Sequence, residues 1–366
     1  MSAQTPVLAL DGLVVEIAGA PVLGGVSLEI GAGEALGLVG ESGCGKSITA
    51  LAILGLLPRG ARVSAGSVRL RDGELLGASE EALCRVRGGS VGMIFQEPGA
   101  CLDPVMRVGR QIGESLRLHR GLRGAAQHAA LRDLLVEVGL NDTDRVARAY
   151  PHELSGGMQQ RAMIAMALAG EPVLLIADEP TTALDARIAS QILDLLDRLR
   201  RERGLALLLI SHDLAVIGGR CDRVQVMYAG RVVESAPAEQ VFEAARHPYT
   251  AALIAASPGL AGVAPKSVLR DIPGQLPPPG GGVDGCAFAG RCAFARPVCA
   301  QRVPVWTHLS AARPPEGVQH RSPQGGAHSV TTAGPVSRRS HGSPQDGAHP
   351  ISADHAVRCL QFESGW

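Results

Sequence analysis

Two apolar rhythms alternate along the chain. Short, nearly continuous apolar runs predict buried strands at "EALGLVG" (34–40), "VLLIAD" (173–178) and "LALLLISHD" (205–213). Residues 7–40 as a whole read as short strands, and "RVQVMYAGRVVES" (223–235) reads as a hairpin turning at Ala229–Gly230. Longer stretches place apolar residues three and four apart and predict helices. These are "KSITALAILGLL" (46–57), stopping at Pro58, then "ESLRLHRG", "AAQHAALRDLLVEVGL" and "ARIASQILDLLDRLRRERG" (186–204), the last closed by Gly204. "APAEQVFEAA" starts a further helix with Pro237 near its first turn. From about 97 to 171 the chain is mainly helical. Strands alternating with helices predict an α/β fold with a mostly parallel central sheet and an inserted α-helical subdomain.

The pattern changes near residue 256. "IPGQLPPPGGGVDG" (272–285) is a proline–glycine linker, and residues 317–350 are low in complexity, with "SPQGGAH" echoed by "SPQDGAH". That segment reads as a disordered insertion whose histidines are incidental to a solvated repeat. The length of 366 residues accommodates two domains, here 1–255 and 256–366. Net charge is zero, so nothing in it points to a nucleic-acid partner. No apolar run approaches the roughly 20 residues that span a bilayer, and the N-terminus lacks a signal-peptide pattern, so the expected location is cytoplasmic.

Lysine and cysteine carry more information. Lysine occurs only at Lys46 and Lys266, and Lys46 lies in a glycine-rich loop, where a compact ammonium suits the site better than a planar guanidinium. Of eight cysteines, Cys44, Cys84, Cys101 and Cys221 are scattered, whereas Cys286, Cys292, Cys299 and Cys359 fall in the last quarter. In a reducing compartment such a group reads as a metal or iron–sulfur site before it reads as disulfides.

The loop "GESGCGKS" (40–47) sits between a predicted strand and a predicted helix. Gly40, Gly43 and Gly45 let the backbone curl so that its N–H groups face a phosphate, together with the helix N-terminus. Gly40, Ser42, Gly43, Cys44, Gly45, Lys46, Ser47 and Ile48 are therefore the candidate nucleotide-binding residues. Lys46 would bridge the β- and γ-phosphates, and Ser47 would ligate Mg²⁺. Asp178 ends a buried strand and is a second Mg²⁺ candidate. Glu179 follows as the candidate general base for an attacking water. Gln96, after "VGMIF", and His212, after "LALLLIS", are placed to sense the γ-phosphate, the metal or the water, although either alone would read as structural.

"LSGGMQQR" (154–161) poses a different problem, because it has neither lysine for phosphate nor carboxylate for metal. Ser155 is a good helix N-cap, and Gly156 and Gly157 leave backbone N–H groups uncovered. This anion site lies on the helical insertion, away from the chain's own loop. Two chains arranged head to tail would bring it onto the partner's nucleotide.

Taken together, "GESGCGKS", "FQEP", "LSGGMQQR", "VLLIADE", "TALD" (182–185) and "SHD" (211–213) resemble an ABC-transporter ATP-binding subunit over about residues 8 to 235. The resemblance implies a P-loop ATPase core, ATP and Mg²⁺ as ligands, and Asp185 in the loop that couples the two sites. It also implies that the 97–150 segment docks onto a membrane subunit. "GRVVESAPAEQVFEAARHPYTAALIAASP" (230–258) and "GCAFAGRCAFARPVC" (285–299) narrow it to the dipeptide/oligopeptide (and nickel) importer branch. The implied partners are a second ATP-binding subunit (a paralogue, or else an identical copy), two membrane permease subunits and, indirectly, an extracytoplasmic substrate-binding protein. The implied location is the cytoplasmic face of the cell membrane, attached peripherally.

In that branch the C-terminal cysteines are associated with an iron–sulfur cluster. The resemblance thus makes Cys286, Cys292, Cys299 and Cys359 candidate ligands of a [4Fe-4S] cluster, with zinc or free reduced thiols as the alternatives. "HAVRCL" (355–360) supports including Cys359. One departure stands out. The family places an aromatic for adenine in its N-terminal strand, whereas Ile17 stands here and the first aromatic is Phe95. The rival readings are a nickel or other small-solute importer, a soluble ABC ATPase, which the single ATP domain and lack of a long heptad run disfavour, and a redox-sensing C-terminal module.

Overall fold

The structure, a computed structural model, describes residues 5–182, 184–257, 260, 271–278, 284–309 and 355–362. The low-complexity repeat at 317–350 and part of the proline–glycine linker lie outside the described residues.

The strands are β1 (Leu8–Ile17), β2 (Ala20–Ile30), β3 (Ala35–Val39), β4 (Ala61–Leu70), β5 (Gly73–Glu74), β6 (Val91–Ile94), β7 (Leu174–Asp178), β8 (Ala206–Ser211), β9 (Arg223–Tyr228), β10 (Arg231–Pro237), β11 (Thr307–Leu309) and β12 (His355–Val357). The helices are α1 (Lys46–Ile53), α2 (Glu80–Val86), α3 (Pro98–Cys101), α4 (Val108–Arg120), α5 (Gly124–Glu137), α6 (Thr143–Arg148), α7 (Gly156–Leu168), α8 (Ala186–Arg203), α9 (Leu214–Ile217), α10 (Ala238–Ala244) and α11 (Pro248–Ala256).

The larger sheet has the order β11-β12-β10-β9-β3-β8-β7-β6. Its five strands from β9 to β6 are mutually parallel, and β10, β12 and β11 continue it antiparallel. Period-two side-chain alternation divides the core between the two faces of this sheet. Ala35 and Val39 of β3, Leu175 and Ala177 of β7, and Leu207 and Leu209 of β8 join the core built by the helical insertion, α7 and α8. Leu36 and Leu38, Leu174 and Ile176, and Leu208 and Ile210 join the other core, under the antiparallel sheet β2-β1-β4-β5 and α1. With both faces covered, these strands read as continuous apolar runs. Each fully buried Leu or Ile contributes roughly 1.5–3 kcal/mol over an exposed one.

The expected helix of 46–57 is shorter than its apolar spacing predicts. It ends at Ile53, because Gly55 (φ 63°) takes a left-handed turn. The N–H groups of Gly55 and Leu56 then bond back to the carbonyls of Ala52 and Leu51, which closes the helix before Pro58. Elsewhere the punctuation matches expectation. Gly204 (φ 62°) caps α8, and Ala229 and Gly230 (φ 45° and 76°) form the turn between β9 and β10. Residues 97–171 contain α3 to α7, the inserted helical subdomain. Among the described residues no helix is long and apolar enough to cross a membrane.

Candidate functional site

The glycine-rich loop leaves the C-terminal end of β3 and runs into α1, whose N-cap is Gly45. Two glycines are sterically required. A Cβ on Gly40 would stand 2.2 Å from the Met227 carbonyl oxygen, and one on Gly45 (φ 111°) would stand 2.7 Å from Leu23 Cδ2. The hairpin turn braces the loop from outside, since the Gly230 N–H donates to the Cys44 carbonyl at 2.8 Å. The Cys44 thiol is buried and burial pushes its pKa up, so this residue offers a ligand only its backbone. Ser42 and Gly43 are exposed, and Ser47 and Ile48 are half-buried.

Lys46 is 4 % exposed, and its ammonium donates to the carbonyls of Gly40 (2.8 Å) and Glu41 (3.1 Å). A buried ammonium needs such partners.

The other half of the site comes from the ends of β6, β7 and β8. Asp178 closes β7 and is buried; desolvation raises its pKa, and a hydrogen bond from Ser47 opposes that rise. Its Oδ1 has no hydrogen-bond partner. A buried carboxylate oxygen without a donor, next to a serine hydroxyl, is the donor set that Mg²⁺ takes in nucleotide sites.

Glu179 follows in a left-handed conformation (φ 47°), uncommon for a residue with a side chain, and its N–H is tied to the Ile210 carbonyl at 3.0 Å. That backbone turns its carboxylate toward four groups. Oε1 lies 4.0 Å from Lys46 Nζ, and Oε2 accepts from Gln96 Nε2 (3.3 Å) and Thr182 Oγ1 (3.1 Å) and lies 3.0 Å from His212 Nδ1. The structure therefore brings Lys46, Asp178, Glu179, Gln96 and His212 together. It adds Thr182, which the sequence marks only as the first residue of "TALD", three residues after the acidic pair. A carboxylate in this setting can take a proton from a water lodged between it and a phosphate held by Lys46.

Ser155, Gly156 and Gly157 are elsewhere. Ser155 caps α7 by accepting from the Met158 N–H at 3.4 Å; Ser155 and Gly156 are exposed and Gly157 is half-buried. Among the described residues no hydrogen bond or ion pair joins them to 40–47. A Cβ on Gly157 would meet Ile188 Cγ2 at 2.8 Å, so the start of α7 packs on the start of α8. Asp185 is the exposed N-cap of α8 and accepts from the Ile188 N–H at 3.0 Å. Ile17 ends β1, half-buried and paired with Ala20 and Ala61.

The C-terminal cysteines converge. Cys286, Cys292, Cys299 and Cys359 line one cavity of about 20 Å³, walled by His247, Phe288, Phe294 and Leu360. All four are free thiols. Burial pushes Cys359 up to about 12, with the three other cysteines adding to the rise. Among the described residues no group of three or more His, Cys, Asp or Glu is arranged to hold a single metal ion.

Strand, glycine loop, buried lysine and paired acids at the ends of parallel strands define a nucleotide-hydrolysing P-loop cassette. Residues 23–182 match the family model described as ABC transporter, and residues 233–299 match that of the oligopeptide/dipeptide transporter, C-terminal region. A Brucella ovis protein named as a peptide import ATP-binding protein is 48% identical over 289 residues, covering 76% of this chain and 86% of its own length. A peptide ABC transporter ATP-binding protein of Sinorhizobium fredii is 49% identical over 78% of this chain and 86% of its own. Among solved structures, cbiO1 of Clostridium perfringens, part of the ABC transporter complex cbiONQ, superposes with a TM-score of 0.59 at 27% identity, over 66% of this chain and 92% of its own. The cassette MJ0796, solved as a dimer with ADP and phosphate after hydrolysis, gives 0.56 at 27%, over 63% and 98%. The chain belongs to the ABC transporter ATP-binding family, in the group with the oligopeptide/dipeptide C-terminal region, and is an ABC-type ATPase.

Proposed function

We propose that this chain is the ATP-hydrolysing subunit of an importer that drives dipeptides or oligopeptides across the cytoplasmic membrane. The names of its relatives and its C-terminal family match support the substrate class. The observation that carries the catalytic reading is Glu179, held by Gln96, Thr182 and His212 beside Lys46.

In this reading the loop amides of Gly40 and of residues 42–48, together with the Lys46 ammonium, bind the β- and γ-phosphates. Ser47, Asp178 and Gln96 are the residues that would hold Mg²⁺, which supplies neutralisation of charge on the triphosphate oxygens. Glu179 accepts the proton of a water whose oxygen attacks the γ-phosphorus, while the bond to the ADP oxygen breaks. His212 and Gln96 orient that water. Ile17 offers the adenine an apolar contact in place of a ring. Ser155, Gly156 and Gly157, unengaged with this chain's own loop among the described residues, cap the nucleotide of a second ATP-binding subunit, a paralogue or an identical copy. Asp185, at the start of α8 beside them, links the two sites. The helical insertion docks onto one of two membrane permease subunits, which receive substrate from an extracytoplasmic binding protein, and the chain sits peripherally on the cytoplasmic face.

The four C-terminal cysteines fit an iron–sulfur cluster by donor type. Iron, zinc and absorbance measurements on anaerobically purified protein decide: iron with cluster absorbance supports the assignment, zinc alone replaces it, and neither removes it.

The catalytic test is Glu179→Gln. It should keep MgATP affinity within about threefold yet lower hydrolysis by 10²-fold or more, in the range of general-base loss, roughly 10²–10⁴. Hydrolysis at the parental rate would overturn the general-base assignment.

A further inference from the structure

Lys46 is held by the carbonyls of Gly40 and Glu41, so the position of residue 41 sets where the ammonium stands. Residue 41 is itself gripped twice by groups from far along the chain. Its backbone N–H does not face a phosphate; it donates to the hydroxyl of Tyr249 on α11, at 2.9 Å. Its carboxylate is taken on both oxygens by the Arg291 guanidinium, Nη1 to Oε2 at 2.6 Å and Nη2 to Oε1 at 2.9 Å. This fork-on-fork geometry fixes orientation as well as charge.

Arg291 is anchored in turn. Its Nε donates to the Pro273 carbonyl (2.9 Å) and its Nη2 to the Ile272 carbonyl (3.0 Å), while the guanidinium lies 5.8 Å from the centroid of the Tyr228 ring. Tyr228, Tyr249 and Phe288 pack ring against ring beneath it, at centroid separations of 4.6 to 5.4 Å. The Arg291 side chain is 7 % exposed and that of Glu41 27 %, so this pair is partly shielded from screening by solvent. Arg291 also ends a 3-10 turn, Ala289–Arg291, that leads directly into Cys292.

We propose that Arg291 is a positioning residue of the ATP site: through Glu41 it fixes the carbonyls that aim Lys46, so the cysteine-bearing C-terminal segment is a working part of the phosphate-binding loop. The inference rests on Lys46 being the phosphate-binding lysine. It does not depend on what the cysteines hold. Its consequence is that any change which displaces residues 289–292 reaches ATP affinity through this ion pair.

The test is equilibrium MgATP binding by the full-length chain, with melting temperature recorded alongside. Arg291→Ala and Glu41→Gln should each weaken MgATP binding by roughly tenfold, the size of one charge-assisted hydrogen bond. The double variant should bind no more weakly than either single, because both remove one link. Arg291→Lys, which keeps the charge but not the fork, should fall between parent and Ala. Folded single variants that bind like the parent, or losses that multiply in the double variant, would overturn the proposal. If Arg291→Ala melts below the assay temperature, Glu41→Gln decides alone, since it leaves the Arg291 bonds to residues 272 and 273 in place. A parental chain that binds no MgATP would instead sink the ATP-site reading itself.

Discussion

His247 is fully buried against Glu234, whose two oxygens already accept the N–H groups of Arg246 (2.6 Å) and His247 (3.0 Å) and meet His355 Nε2 at 2.6 Å. Its own Nδ1 accepts from the Tyr249 N–H at 3.1 Å, which requires that nitrogen to be unprotonated. Burial lowers its pKa to about 4 despite the nearby carboxylate. In the unfolded chain the imidazole takes its proton near pH 6.5. Between those values the unfolded state binds more protons, so stability falls as pH drops from about 6.5 to 4, by up to about 3 kcal/mol. Denaturation midpoints across that range should show the slope, and His247→Asn, which can still accept from Tyr249, should flatten it. An equal slope in the variant would assign the effect to other groups. Gly45 carries a second prediction at this scale. Alanine there must adopt φ 111° with its Cβ against Leu23, so Gly45→Ala should cost about 1–3 kcal/mol and most nucleotide affinity. Parental stability and binding would show that the loop relaxes freely.

The elements were legible wherever one local signal governed them. β3, β7 and β8 announce themselves because both of their faces are buried, and the β9–β10 hairpin because Ala229–Gly230 supplies the left-handed turn. α1 is shorter than its pattern because the apolar spacing continues past Gly55, where the helix does not. β11 and β12 leave no local signal in the sequence: each is three residues long, and their pairing joins positions far apart in the chain. The same limit explains the site. Lys46, Asp178 and Glu179 follow strand ends and can be read from sequence, whereas nothing local pairs Arg291 with Glu41. For α7 the helix start has two separable duties. Ser155→Ala removes a long N-cap bond and should cost about 1 kcal/mol or less of stability. It should leave MgATP binding by the isolated chain unchanged while lowering hydrolysis by the assembled importer. Equal loss of binding in the isolated chain would contradict a role across two subunits.

At the scale of the whole molecule, the C-terminal strands are continuous with the ATPase sheet. β12 covers the edge of β10, and its His355 meets the buried Glu234. A chain ending at residue 257 should therefore expose that edge, melt about 5 °C or more lower, and self-associate; an unchanged melting curve would show that the strands add nothing. The remaining question is how two such molecules make one machine. Glu179, Lys46 and Asp178 assemble within a single chain, but Ser155 and Gly156 sit exposed and Gly157 half-buried, with no bond to their own loop among the described residues. The most direct measurement is a structure of the Glu179→Gln importer trapped with MgATP. The account predicts Ser155 and the amides of Gly156 and Gly157 within hydrogen-bond reach of a γ-phosphate held by the loop of the other ATP-binding subunit. Residues 155–157 facing solvent, with the nucleotides already bound, would contradict it.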